Sequence, residues 1–197
     1  MMLNISAIII ASGKSERFGS DKLMYKVNSK PIIYYVINNV IKAKFTERLI
    51  ILRNTDLKEY AENQGLNTVW NQYYENGMSE SIILGIKNIS DSSDAAMIIP
   101  GDMPMMTSDN LNSLINHFIE SRKEIVGFLL NGIPVSPVIF SRKYFNELLQ
   151  LKGDHGGKPV IMKHMDDFTG IEVSDNSNMD IDTIRDADEF KKIINKS

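Results

Sequence analysis

The sequence predicts an α/β fold: a single domain built on a doubly wound, mostly parallel sheet. Three observations lead there. Short β-branched apolar runs alternate with stretches of helical spacing along the chain, the order expected of crossover units. The 197 residues, 43% of them hydrophobic, suffice for one sizeable core, and one domain is the rule at that length. An apolar β-branched run, Ile8-Ile9-Ile10, ends abruptly in a loop of glycines, serines and basic residues, the composition needed to surround a polyphosphate.

The first strand is predicted over Ser6 to Ala11 and the first helix over Pro31 to Ala43, with Pro31 pre-set for a first helical turn. Strand Arg48 to Leu52, helix Asp56 to Gln64 and strand Asn67 to Trp70 follow. Helix Ser79 to Asn88, strand Ala95 to Pro100 and helix Ser108 to Glu120 come next, Ser79 and Ser108 being the expected N-caps. Strands Ile125 to Leu130 and Val138 to Phe140 precede helical spacing over Arg142 to Leu151, with Ser141 as its cap, and over Lys158 to His164. Strand Gly170 to Val173 and helix Thr183 to Asn195 complete the series. No repeat or linker divides residues 1–197, and Asp91-Ser92-Ser93-Asp94 reads as a short polar connection.

Composition excludes several classes. With 22 Lys and Arg against 25 Asp and Glu, the net charge is -3, so no broad basic field exists for a nucleic-acid backbone. The absence of cysteine removes disulfides, thiolate metal sites and a cysteine nucleophile together. No apolar run approaches the roughly 18 residues of a membrane span, and no basic, apolar leader opens the chain. A cytoplasmic protein without membrane or nucleic-acid partners is expected.

The glycine loop is neither of two familiar kinds. Gly13-Lys14-Ser15 resembles a P-loop tail, but the glycine needed five positions upstream is Ile8. A dinucleotide fingerprint would need glycine where Ser15 and Phe18 stand. What remains is a longer loop in which Gly13 and Gly19 permit close backbone approach and Arg17 and Lys22 supply separated positive charges. A second constellation, Gly101-Asp102-Met103-Pro104, places a carboxylate just past the end of a buried strand, where open α/β sheets bind ligands and where Mg²⁺ can be held. Asp180 and Asp182, two apart, share one face of an extended segment. One of them would complete a metal shell, although Asp182 or Thr183 also suits the cap of the final helix.

Together Gly13-x-Ser15-x-Arg17-x-Gly19-x-x-Lys22 and Gly101-Asp102-Met103-Pro104 resemble the nucleotidyltransferases of the MobA-like superfamily, most closely the molybdenum cofactor cytidylyltransferase branch. Asn71, Gly77-Met78-Ser79-x-Ser81, Ser136-Pro137-Val138, Leu151-x-Gly153-Asp154-x-Gly156 and Asp180-Ile181-Asp182-Thr183 continue the likeness to about Phe190. Ser12, Ser136 and Ile184 depart from that pattern, where alanine, histidine and proline are usual. The resemblance implies a Rossmann-like nucleotidyltransferase fold and Mg²⁺-dependent transfer of CMP from CTP to molybdopterin with release of pyrophosphate. It implies catalytic roles for Arg17, Lys22 and Asp102, and a metal site of Asp102, Asp180 and Asp182. Nucleotide contacts would come from Ala11, Ser12, Gly13, Ser15, Asn71, Gly77, Met78, Ser79 and Ser81. Acceptor contacts would come from Ser136, Pro137, Asp154 and His155, and the product would pass to a molybdenum hydroxylase by transient contact.

GTP as donor, or a sugar phosphate as acceptor, fits the same reaction class. A nicotinamide-dependent oxidoreductase of the same superfamily is disfavoured by the missing dinucleotide glycines. A non-catalytic cofactor carrier is disfavoured because Arg17, Lys22 and Asp102 are all retained.

Overall fold

The computed structural model describes residues 3–174 and 179–196. Its core is a seven-stranded sheet formed by β1 (Ile5–Ala11), β4 (Glu47–Leu52), β5 (Asn67–Trp70), β6 (Ala95–Pro100), β7 (Ile125–Leu130), β8 (Ile133–Ser141) and β9 (Phe168–Glu172), in the order β5-β4-β1-β6-β8-β7-β9. β8 pairs antiparallel with both β6 and β7, and the other pairings are parallel. A small hairpin of β2 (Lys26–Val27) and β3 (Lys30–Pro31), absent from the sequence reading, stands apart from the sheet.

Residues alternate between the two faces with the strand period of two. In β1, Ile5, Ala7, Ile9 and Ala11 pack under α1 (Ile32–Lys42), α2 (Thr55–Asn63) and α4 (Ser108–Ser121), whereas Ile8 faces α3 (Met78–Asn88), α5 (Phe145–Leu148) and α6 (Lys158–Lys163). α3 approaches β1 closely at Gly85, where any Cβ would enter the shell of Ile8 Cγ2. That contact fixes the depth at which α3 begins. A third cluster joins Phe18, Val27, Ile32 and Ile181 to Ala187 and Phe190 of α7 (Ile184–Ile194), so the last helix seals the small hairpin. No helix among the described residues is long and apolar enough to cross a membrane.

Several local expectations need correction. Pro31 closes β3 and precedes the first turn of α1, since Ile32 is the first helical residue. Ser79 lies within α3, which starts behind Gly77. Thr107, not Ser108, caps α4 through a reciprocal pair with Asn110. Ser141 ends β8, makes no capping bond and leads into a 3₁₀ turn before the short α5.

β8 starts five residues before the expected strand because Asn131 and Gly132, at φ 53° and 77°, turn it tightly against β7. Pro134 and Pro137 are accommodated because β6 pairs with β8 only from Val138 onward. Ser136 and Pro137, joined by a cis peptide, bulge out where the β7–β8 register shifts. A bulge re-aims side chains, and here it brings Ser136 to a cleft.

Candidate active site

A cleft of about 610 Å³ opens along the carboxyl ends of β1 and β6. Ile10, Ile98, Val138 and Phe140 give it an apolar floor. Its rim carries Ser12, Gly13, Ser15, Arg17 and Lys22 from the glycine loop, Tyr74, Gly77, Met78 and Ser81 around the start of α3, Pro134 to Ser136 from β8, and Asp154 to Lys158 before and into α6. Asp102, Asp180 and Asp182 complete it.

Packing explains why the glycine loop holds its shape without regular structure. Phe18 is buried in the cluster that also contains Ile181, which sets Arg17 opposite Asp182, and the two pair at 2.8 Å. Asp21 accepts from the Leu23 N–H at 3.2 Å and from Asn54 Nδ2 at 3.1 Å, tying the loop's far end to the start of α2. The Arg53 guanidinium donates to the Gly13 carbonyl at 3.1 and 3.3 Å and lies 4.8 Å from the centre of the Tyr74 ring. Ser15 has φ 58°, and its buried Oγ lacks a hydrogen-bond partner among the described residues.

At the acidic corner, Lys22 Nζ sits 2.6 Å from Asp102 Oδ2 and 2.9 Å from Asp182 Oδ1. Burial works against the ammonium, but the two carboxylates outweigh it, and the Lys22 pKa is raised. The Ile181 N–H donates to the Asp102 carbonyl at 2.9 Å, so the 179–182 segment is anchored beside the end of β6. Solvent reaches the Asp180 residue, but desolvation of its carboxyl, reinforced by the charges of Asp102 and Asp182, pushes its pKa up to about 7.

The structure brings Ser12, Gly13, Ser15, Arg17, Lys22, Gly77, Met78, Ser81, Asp102, Ser136, Asp154, His155, Asp180 and Asp182 to one cleft. Ala11, Asn71, Ser79 and Pro137 are not among its lining residues. Asn71 is wholly buried, donating to Ser12 Oγ at 3.0 Å and Ser81 Oγ at 3.2 Å while those hydroxyls meet at 2.7 Å. It braces the ends of β1 and α3 from behind. Asp154 Oδ1 accepts the Met78 N–H at 2.9 Å, so that oxygen serves the start of α3. Arg53 and Tyr74 were not anticipated from the sequence, because their roles arise from a contact between distant loops and no local motif marks them.

Asp102 and Asp182 offer hard oxygen donors and already receive one cation, the Lys22 ammonium, between them. That donor chemistry fits Mg²⁺ or Mn²⁺. Among the described residues no group of three or more acidic or histidine side chains is preassembled for a metal. This suits an ion that takes one or two carboxylates and fills its remaining positions with phosphate and water.

Over 114 residues the chain is 30% identical to a probable molybdenum cofactor guanylyltransferase of Thermococcus sibiricus, covering 58% of this chain and 56% of that relative. The chain thus spans little more than half the length of that protein. A protein of the same description from Natranaerobius thermophilus is 24% identical over 208 residues, covering 98% of each. The fold superposes with a TM-score of 0.81 on the crystal structure of Rv0371C from Mycobacterium tuberculosis in complex with manganese, at 18% identity, covering 98% of this chain and all of that one. Residues 7–168 match the MobA-like NTP transferase domain, so the chain belongs to that family of nucleotidyltransferases.

Proposed function

We propose that this protein transfers a nucleoside monophosphate from a nucleoside triphosphate to the phosphate of molybdopterin, releasing pyrophosphate. The observation that carries the reading is the corner where Lys22 lies between Asp102 and Asp182 beside the glycine loop. Cations and metal-competent carboxylates meet there at the carboxyl edge of the sheet, where such folds bind ligands.

In the transfer, an oxygen of the acceptor phosphate bonds to the α-phosphorus as the bond from that phosphorus to the bridging oxygen breaks. Pyrophosphate takes the electron pair. The nucleophile is already anionic, so no general base is needed, and His155 serves in binding. The barrier is one of repulsion and orientation. Arg17 neutralises the β- and γ-phosphates through its forked donors, while Lys22 turns from its carboxylates toward the α-phosphate and the entering oxygen. The Gly13 to Ser15 backbone cradles the chain of phosphates. Asp102 and Asp182, with Asp180 beside them, would hold a divalent ion that supplies charge neutralisation on the phosphate oxygens.

The Met78 to Ser81 side of the cleft takes the base and ribose, and Ser136 and His155 face the acceptor. GTP is the donor favoured by the names of the relatives. CTP is a second reading, favoured by the resemblance of the glycine-loop and Gly101-Asp102-Met103-Pro104 motifs to the cytidylyltransferase branch. The test is pyrophosphate release from each of the four common nucleoside triphosphates, with and without molybdopterin and Mg²⁺. Molybdopterin-dependent release from GTP supports the first reading, and release from CTP alone selects the second. Release from no nucleotide with molybdopterin removes that acceptor.

A further inference from the structure

The turn at 152–157 is fastened to the first turn of α3. Asp154 Oδ1 takes the Met78 N–H at 2.9 Å, and the Gly153 carbonyl takes the Ser79 N–H at 3.0 Å. α3 has no side-chain cap at Gly77, so a loop 76 positions away satisfies donors that a helix start leaves open. The fit is tight. A Cβ at Gly77 would lie 2.5 Å from Asp154 Oδ1 and 2.7 Å from the Gly153 carbonyl, and Gly77 has φ 98°. On the turn's other shoulder, a Cβ at Gly156 would stand 3.1 Å from Met78 Sδ. Both partners of this joint line the cleft, from the two sides assigned above to different substrates.

We infer that Asp154 is a positioning residue that locks the start of α3 to the 152–157 turn, so that a nucleotide settled against the first orders the second for the acceptor. The inference rests on the donor and acceptor sides proposed above. A bound nucleotide limits the motion of Met78 and Ser79, and the joint passes that restraint to the turn that meets the acceptor. The acceptor then enters a turn whose ordering has already been met, which makes the two bindings mutually favourable.

Amide hydrogen exchange of the full chain, read by NMR, tests this with Mg²⁺ and each nucleoside triphosphate in turn. In the unaltered protein, the nucleotide that binds slows exchange over 71–81 and also over 152–157. In Asp154→Ala the slowing persists over 71–81 and vanishes over 152–157. Without nucleotide, the Met78 amide of that variant exchanges about tenfold faster, as expected for loss of one charge-assisted hydrogen bond. Asp154→Asn retains a carbonyl oxygen at this place and restores both behaviours. Gly77→Ala keeps the carboxylate but forces it away, and it reproduces Asp154→Ala, which supplies the comparison should Asp154→Ala not fold. Slowing confined to 71–81 in the unaltered protein, or slowing over 152–157 that survives both Asp154→Ala and Gly77→Ala, overturns the coupling and leaves the donor site standing. Slowing in neither segment with any of the four nucleotides overturns the coupling and the donor site together.

Discussion

Lys22 and Arg17 both pair with Asp182, yet they differ in exposure: the Lys22 side chain is 14% exposed and that of Arg17 is 78%. An ammonium held in that setting is worth more than a guanidinium in water, where an ion pair contributes little. Lys22→Ala is therefore expected to lower kcat/KM more than Arg17→Ala. Both losses should be equal for GTP and CTP, because the phosphates are common to the two. A variant that changed the preferred base instead would move that residue to the other end of the nucleotide. Asp102→Ala should reduce metal-dependent turnover about 100-fold or more, since loss even of an outer partner of a metal ligand costs 10- to about 100-fold. Circular dichroism should show the fold retained, and full turnover by a folded Asp102→Ala protein at ordinary Mg²⁺ would reject Asp102 as a ligand.

Elements were legible where one force decided them. β6 and β7 match their expected ranges because each is an apolar run closed by turn residues, and β5, only half apolar and nowhere buried, matches its range through its β-branched and aromatic residues between Gly65 and Asn71. β8 was half seen, since Pro134 and Pro137 mask a strand whose partner on one side begins only at Val138. The start of α3 was misplaced because Ser79 looks like a cap, while the true capping group is Asp154, in a turn distant in sequence that packs directly against the helix start. The same limit applies at the site. Arg17, Lys22, Asp102 and Asp182 announced themselves by charge in loops that end strands or begin helices, and they converge. Asn71, a candidate only through the family resemblance, points inward instead, because only the packed structure decides whether a polar side chain meets a ligand or two buried hydroxyls. Close packing at Gly85 offers a test at this scale. Gly85→Ala pushes α3 from Ile8 at a cost of about 1–3 kcal/mol, against the roughly 1 kcal/mol that alanine returns in a helix. The denaturant midpoint should fall, and an unchanged or higher midpoint would show that α3 shifts freely along the sheet.

For the molecule as a whole, Asp180 ties stability to pH. Its carboxyl, raised from 3.8 to about 7, binds a proton more tightly in the folded than in the unfolded state. Its contribution is thus favourable in acid and is lost as pH climbs from 3.8 through about 7, after which it is flat. Other carboxyls, among them Glu147 and Asp167, are lowered and slope the opposite way in more acidic solution. The difference between the metal-free protein and Asp180→Asn isolates the effect: Asp180→Asn should gain Tm relative to the unaltered protein as pH rises from 5 to 7. A constant difference across that range would remove the proposed burden on Asp180.

The tight turn at Asn131 and Gly132 joins neighbours directly, whereas β1, β4, β5 and β6 are linked by long crossovers through helices. Closing a longer loop at such a tip costs only slightly more entropy, about 0.6 kcal/mol for each doubling of its length. A lineage can accordingly lengthen or reshape this tip, and with it the wall bearing Pro134 to Ser136, while β1 and β6 keep their register. If the acceptor and phosphate sides are as proposed above, the first would be free to drift toward new acceptors while the second stood still.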